Sequence, residues 1–363
     1  MNPTADRPSP FASQRLESLD QYRGYTVLAM FVVNFMGGFV AVPDNLKHHH
    51  TYNSFADVIM PQFFFAVGFG MRLSWLRRCA AEGTIGAVRH FLGRIAALLL
   101  LGFVIYHFTG QYKTWAELTA QPWPEVVLSA IKRQPFETLT HIAVTTLWVL
   151  PVIAAPIWGR TVFALGSAGL HVAISLAGYY DWNMQPPAGI DGGPLGFLTW
   201  TLPLVAGTLA HDWVMAGTQP MVRSVVVGGV LMAGGIALSF AGNATATWPF
   251  VKPDEAVVRN YWLMSQRAGS VTYLLFAAGF AMSLYALFVA IVDHLGWRWS
   301  YFDLLGRHAL AGYVIHGLVS DAVRPYVPRD APGWYVGLAI LMYLGIVTLF
   351  VRYLERNRLF FRL

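Results

Sequence analysis

The stretch LKHHHTYNSFADVIMPQFFF, residues 46–65, places three consecutive histidines just before an apolar run that is typical of a membrane-spanning helix. Apolar runs of about 20 residues, which as helices cross a hydrocarbon core of about 30 Å, recur along the chain. The whole sequence is 56% hydrophobic and only 12% charged, whereas ordinary soluble domains are roughly 25% charged. The sequence therefore predicts an all-α, polytopic membrane helix bundle.

We predict a single membrane domain of about ten transmembrane helices, which occupies residues 21–354. The first twenty residues are polar and hold no apolar core, so we expect no cleavable signal peptide, and residues 355–363 form a short C-terminal tail. The predicted spans cover about residues 21–42, 54–77, 88–109, 137–158, 160–181, 195–215, 222–242, 269–292, 304–323 and 333–354.

The basic residues predict the orientation of the bundle. With a cytoplasmic N-terminus, ten spans return the C-terminus to the cytoplasm, and sixteen of the 25 lysines and arginines then lie on the inner side and nine on the outer side. This asymmetry is what the positive-inside rule expects, and it places the three histidines outside. The formal charge of +6 is thereby explained by topology, and no arginine-rich stretch interleaved with aromatic residues indicates a nucleic-acid partner.

Two polar residues are expected near the middle of the membrane, where polar groups are costly and often functional. Asn34 follows Arg23 by eleven residues, which corresponds to about 16 Å of helix. His316 follows Arg307 by nine residues, or about 13 Å. For each of them, a hydrogen bond between neighbouring helices is the structural alternative to a functional role.

The histidines His48, His49 and His50 precede Asp57 by seven to nine residues. A carboxylate that pairs with one imidazole nitrogen raises the basicity of the other, so this pattern favours a histidine general base. The alternatives are a polar loop, an adventitious metal patch and, for Asp57, a helix-start carboxylate. The single cysteine, Cys79, excludes a cysteine-based zinc site, and because no further ligand is indicated we expect no metal.

Five segments carry a resemblance to a known family. They are LDQYRGYTVLAMFVVNFMGG, LKHHH with ADVIMPQFFFAVG, DGGPLGFLTWTLPLVAGTLA, SQRAGSVTYLLFAAGFA and LLGRHALAGYVIH. Together they resemble, in this order, the heparan-α-glucosaminide N-acetyltransferase family within the transmembrane acyltransferases. The best of them lie in residues 19–70, and the large luminal extension of the animal enzymes is absent.

The resemblance implies an enzyme that transfers an acetyl group from cytoplasmic acetyl-CoA to the amino group of a sugar on the far side of the membrane. It also implies a catalytic histidine in the first outer loop, supported by the asparagine of the preceding span, which here is Asn34. The spacing from Asn34 favours His48, whereas the spacing from Tyr52 favours His49. These two histidines rank nearly level, and His50 ranks third.

The resemblance also implies where the two substrates bind. We expect the inner residues Arg23, Arg307 and His308 to bind the CoA phosphates, and His316 to line the path of the pantetheine arm; interfacial anchoring is their structural alternative. On the outer side the chain departs from the family pattern, and there we expect acceptor-binding residues: His50, Tyr52, His141, Asp191 and Arg267. The relatives further suggest a bacterial inner membrane and a homodimer.

Several alternatives stay open at this stage. Within enzymes, the acceptor is either an amine or a hydroxyl of an envelope polysaccharide or lipid-linked sugar, and the histidine is either a general base or a transient acyl carrier. Outside enzymes, the same residues fit a transporter or channel with a histidine-lined path, or a structural subunit.

Overall fold

The computed structural model describes residues 16–107, 113–132, 135–241, 248–253 and 260–361, which fold into an α-helical bundle. The predicted N-terminal tail up to residue 15, the outer end of the predicted span 88–109 and the last two residues lie outside this part of the chain. The α-helices are α1 Glu17–Met36, α2 Ile59–His107, α3 Trp115–Thr119, α4 Trp123–Lys132, α5 Thr138–Val149, α6 Ile157–Ile174, α7 Tyr180–Met184, α8 Phe197–Ala216, α9 Pro220–Ala241, α10 Val271–Phe288, α11 Ser300–Arg307, α12 Ala309–Val323 and α13 Gly333–Arg356.

Helix α2 consists of two antiparallel arms that meet at Gly83. This glycine has φ 76° and ψ 174°, a conformation outside the helical region that glycine adopts readily because it lacks a Cβ. The rings of Trp75 and Phe91 lie 6.1 Å apart, whereas sixteen residues of continuous helix would separate them by about 24 Å. The two arms therefore account for the second and third predicted spans.

The loops that connect successive helical passes lie alternately at the two ends of the bundle. At the end that carries the three histidines, Val40 N donates to Arg329 O at 2.8 Å and Asn53 N donates to Pro249 O at 2.8 Å. At the opposite end, Gln21 Nε2 donates to Trp299 O at 3.1 Å. We term these the outer and inner ends. Over the described residues this arrangement gives ten helical passes and confirms the predicted bundle.

Six helical segments are both long and apolar enough to cross a membrane, in agreement with a membrane protein. They are Ile59–Tyr106, Ile157–Met184, Gly193–Ala216, Pro220–Ala241, Val271–His294 and Gly333–Arg356. The first of these contains both arms of α2. The fourth, shorter pass, Thr138–Val152, is also apolar, and α12 is shorter than these six because it is separated from α11 at His308.

The first helix ends earlier than the sequence predicts. Helix α1 stops at Met36 instead of continuing to residue 42, and its last turn is closed by a hydrogen bond from Gly37 N to Val33 O at 2.9 Å. Asn34 therefore lies in the last turn of the helix, within hydrogen-bond distance of His316, the central residue of α12. The depth of both residues in the membrane stays a prediction.

Closely packed glycines hold the helices of the bundle together. A Cβ added to Gly68 in α2 would lie 1.8 Å from Leu204 O, and one added to Gly207 in α8 would lie 1.9 Å from Phe65 O. These two glycines thus allow the backbones of α2 and α8 to touch. Small residues allow the same close approach in membrane helices generally.

The substitution Gly68→Ala should lower the free energy of unfolding by at least ~2 kcal/mol, because the new methyl group would overlap a backbone carbonyl that cannot move independently. Gly70→Ala is the matched control, since a Cβ at Gly70 meets no atom within 4 Å and alanine favours helix. Unfolding of the purified variants by a titration of denaturing detergent measures the difference. Equal stability of the two variants would contradict the close contact between α2 and α8.

Candidate active site

Asp57 fixes the loop that precedes α2. Its side chain is only 1% exposed, and its Oδ1 lies 3.0 Å from His48 Nδ1. Its Oδ2 accepts a hydrogen bond from Ser54 N at 3.0 Å, and its backbone carbonyl accepts one from the Tyr273 hydroxyl at 2.6 Å. Both carboxylate oxygens are thus used, and Asp57 holds His48 in one orientation.

The pairing with Asp57 determines the chemistry of His48. Partial burial lowers the pKa of the imidazole, but the hydrogen bond and the negative charge of Asp57 raise it, and the net effect is a pKa above the ordinary value of histidine. Because Nδ1 carries the proton that faces Asp57, Nε2 is the nitrogen that can accept a further proton. His48 therefore has the arrangement of a general base.

The other two histidines of the loop have different partners. His49 stacks on Tyr52 with ring centroids 4.0 Å apart, and its Nε2 lies 2.7 Å from Asp44 O. His50 Nε2 accepts a hydrogen bond from Arg267 Nη2 at 2.7 Å, and burial together with the charge of Arg267 lowers the pKa of His50 to about 4. Within the described part of the chain, no three His, Cys, Asp or Glu side chains form a group that would hold a metal ion.

A cavity of about 320 Å³, which we term the outer cavity, lies beside His48. Many of its lining side chains fall into a polar set and an apolar set, which we term the polar wall and the apolar wall. The polar wall consists of Asn34, His48, His50, Glu137, Asp191, Gln266 and Arg267. The apolar wall consists of Met30, Val33, Ala56, Ile59, Met60 and Phe63. His49 lines neither wall, so the geometry favours His48 over His49.

Asn34 is held at the outer cavity by His316. Its Nδ2 lies 3.2 Å from His316 Nε2, while His316 Nδ1 donates to the Tyr313 carbonyl. With the proton of His316 on Nδ1, Nε2 accepts from the Asn34 amide, which keeps a second N–H for another acceptor. The ring of His316 also stacks on Phe31 at 5.6 Å. His316 thus acts on the cavity through Asn34.

Asp191 is the second buried carboxylate at the outer cavity. It is 3% exposed, its Oδ1 accepts a hydrogen bond from Gln266 Nε2 at 2.9 Å, and its backbone carbonyl accepts one from Trp200 Nε1 at 2.7 Å. Burial raises the pKa of Asp191 to about 7. This group therefore titrates near neutral pH, within the polar wall that also contains His48.

A second cavity of about 610 Å³, which we term the inner cavity, opens towards the inner end. Its basic lining consists of Arg23, Arg78, His90, Arg94 and Arg307. Phe63, Thr138 and Tyr313 line both cavities, and we term them the constriction. The hydroxyl of Tyr313 is hydrogen-bonded to that of Tyr106 in the second arm of α2. The two cavities are thus neighbours that share these three side chains.

Six of the predicted site residues line neither cavity: His49, Tyr52, Asp57, His141, His308 and His316. His308 Nε2 is bonded to Glu355 Oε2 at 2.6 Å, and its ring stacks on Phe360. His141 is fully buried between the rings of Phe136 and Trp200. Neither histidine is therefore positioned to contact a substrate in these two cavities. Tyr52, which stacks on His49, also lies outside the lining of both cavities.

Several lining residues were not predicted from the sequence. Glu137 lies directly before α5, much as Asp57 lies shortly before α2. This similarity is the sequence signal from which Glu137 could have been predicted as a site residue. Arg78 and Arg94 follow the pattern of inner basic residues, so nothing in the sequence distinguishes them from topology signals. Tyr106 and Tyr313 are 207 residues apart, and no local pattern joins them.

Comparison with known proteins gives one match. Residues 15–185 match a family model described as heparan-alpha-glucosaminide N-acetyltransferase, catalytic. This match confirms the resemblance over residues 15–185 and supports acetyltransferase activity in a membrane protein, whereas the three later segments of the resemblance lie beyond it. It includes Asn34, His48 and Asp57, whereas Arg267, Arg307 and His316 lie beyond it. No curated protein matches the chain.

The substitution Asp57→Asn should lower the pKa of His48, because it removes the negative charge that favours the imidazolium. NMR titration of the histidine ring signals in detergent measures this, with the His48 signal identified by its loss in His48→Gln. His49→Gln is the control, since His49 does not bond Asp57 and its removal should leave the titration of His48 in place. A His48 pKa that is the same with Asp57 and with Asn would contradict the pairing.

Proposed function

Because the chain carries the catalytic-domain match of the heparan-α-glucosaminide N-acetyltransferase-like family, we propose that it moves an acetyl group from acetyl-CoA on the cytoplasmic side to an amino sugar on the extracytoplasmic side. The observation that carries the proposal is that the basic inner cavity and the His48 cavity share the constriction Phe63, Thr138 and Tyr313. An acyl group on a long, narrow carrier needs only this one passage to reach His48.

The inner cavity supports the proposed donor. Arginine guanidinium groups match the geometry of phosphate oxygens and bind them through charge-assisted hydrogen bonds. Four arginines and His90 line this cavity, which suits the phosphates at the nucleotide end of CoA. Arg307 also bonds Asp303 at 2.7 Å, so part of its charge is already compensated. Arg78 is paired in the same way with Glu82 at 2.8 Å, and Arg23 with Asp20 at 3.9 Å. In this proposal the attraction therefore comes from all four arginines together.

His48, Asn34 and Asp57 supply the proposed chemistry. The acceptor amine attacks the thioester carbonyl, and its proton passes to His48 Nε2 while Asp57 stabilises the imidazolium. The second N–H of the Asn34 amide donates to the carbonyl oxygen as negative charge develops on it. The C–N bond then replaces the C–S bond, and CoA leaves as a thiol that takes the proton from His48.

An acetyl-histidine intermediate at His48 Nε2 is the alternative route through the same site. In that route the nitrogen attacks the thioester first, CoA leaves, and the acceptor then takes the acetyl group. Brief incubation with radiolabelled acetyl-CoA in the absence of an acceptor distinguishes the two, because only the covalent route labels the protein.

The polar wall supports a carbohydrate acceptor on the outer side. Glu137, Asp191, Gln266 and Arg267 offer both hydrogen-bond donors and acceptors around one space. The loops that carry them are joined by a hydrogen bond from Gly192 N to Arg267 O at 3.0 Å. This wall is therefore positioned before any acceptor arrives. We further propose that both termini lie on the cytoplasmic side of a bacterial inner membrane.

The substitution His48→Ala should reduce turnover by at least ~100-fold, because it removes the general base. His49→Ala is the matched control and should keep most of the activity, since His49 is stacked on Tyr52 outside the outer cavity. Release of free thiol from acetyl-CoA measures turnover, with glucosamine as the amine acceptor and glucose as the hydroxyl-only acceptor. A greater loss in His49→Ala would contradict the assignment, and solute flux without any thiol release would indicate a transporter.

The substitution Arg94→Gln should raise the KM for acetyl-CoA roughly tenfold and leave kcat nearly unchanged, because a charged hydrogen bond contributes about 1.5–3 kcal/mol to binding. Arg89→Gln is the control: Arg89 lies on the same arm of α2 but does not line the inner cavity. The effect of Arg94→Gln should also become smaller as salt is added. Equal KM changes in both variants would indicate a general surface charge effect instead of a binding site.

A further inference from the structure

The apolar wall of the outer cavity is built from one face of each of two helices. Met30 and Val33 come from the last turns of α1, and Ile59, Met60 and Phe63 come from the first turns of α2. Spacings of three and four residues place side chains on the same face of a helix. The wall therefore lies where α1 and α2 meet, and we term it the α1–α2 seam. Met30, Val33 and Ile59 belong to one cluster of buried apolar residues, and Met60 belongs to the adjoining cluster.

This seam adjoins the groups assigned to the reaction. Asn34 directly follows Val33 in α1, and Asp57, the partner of His48, lies two residues before Ile59. A thioester whose carbonyl lies between Asn34 and His48 therefore has the seam immediately beside it. The sugar has hydroxyl and amino groups that need the polar wall, so the group that gains from apolar contact is the acyl chain.

Met60 occupies the end of the seam that meets the constriction. Its Sδ accepts a hydrogen bond from Thr138 Oγ1 at 3.7 Å, and Thr138 is one of the three constriction residues. Methionine is long and flexible, so it fills the space between the seam and the constriction. An acyl chain that extends along the seam would reach the side chain of Met60.

We propose that the α1–α2 seam receives the acyl group of the thioester and that Met60 sets the longest acyl chain that is transferred. This inference rests on the proposed function, because it requires a CoA thioester in the outer cavity. Under this proposal the apolar wall selects the acyl group of the donor, whereas the polar wall selects the acceptor. Substitutions in the apolar wall should then change donor preference, and substitutions in the polar wall should change acceptor preference.

The test compares kcat/KM for acetyl-CoA, propionyl-CoA and butyryl-CoA, measured by thiol release with glucosamine as acceptor. In Met60→Ala the ratio of butyryl to acetyl transfer should rise at least ~10-fold, since one methylene group in a fitted apolar pocket changes discrimination by roughly 10–200-fold. In Met60→Phe, which fills the same space with a rigid ring, the ratio should fall. Met60→Leu conserves volume, so its ratio should stay close to that of the native protein, whereas Met60→Phe tests the proposal in a folded variant if alanine destabilises the bundle.

Met282→Ala is the control for general loosening of the core. Met282 in α10 is fully buried and lines neither cavity, so its truncation should leave the ratio unchanged. Native turnover with acetyl-CoA and an unchanged ratio in Met60→Ala and Met60→Phe would overturn the acyl assignment and leave the proposed function intact. Absence of thiol release from every thioester with the native protein would overturn both.

Discussion

The structure depends on one constraint: a chain surrounded by lipid can keep polar side chains in its interior only where they bond one another or face a cavity. Asp57 with His48, and Asn34 with His316, meet this requirement at the outer cavity. Asp212 meets it at the inner end, where it is bonded to Arg72 and Arg160 and joins α2, α6 and α8. These polar contacts between segments far apart in sequence determine which helices adjoin the two cavities.

The same constraint applies to the side chains that the two cavities share. Phe63 is apolar, Thr138 bonds Met60, and Tyr313 in α12 bonds Tyr106 in α2. Both of these helices also adjoin the reacting groups, because Asp57 lies just before α2 and the Tyr313 carbonyl accepts the hydrogen bond that orients His316 beside Asn34. The constriction and the reacting groups are therefore connected through the same two helices.

The sequence was sufficient to predict the bundle, because each pass leaves an apolar run that no other fold class produces repeatedly. It was insufficient to choose between His48 and His49, since adjacent loop residues differ in direction and only the contact with Asp57 distinguishes them. The early end of α1 was missed because the apolar residues continue past Met36 into the loop. The constriction was missed because its three residues come from three helices, and pairing across such distances leaves no local signal.

The two carboxylates of the outer cavity have different environments and therefore suit different tasks. Asp57 accepts hydrogen bonds from His48 and Ser54 on separate oxygens, which suits a group that must stay negative while His48 gains a proton. Asp191 is almost completely buried and bonded to Gln266, and its burial raises its pKa to about 7. Since burial disfavours the charged form, Asp191 holds its proton more readily than a carboxylate in water, so it can either donate or accept a hydrogen bond. In the proposed reaction Asp57 therefore suits the pairing with His48, and Asp191 suits contact with the acceptor.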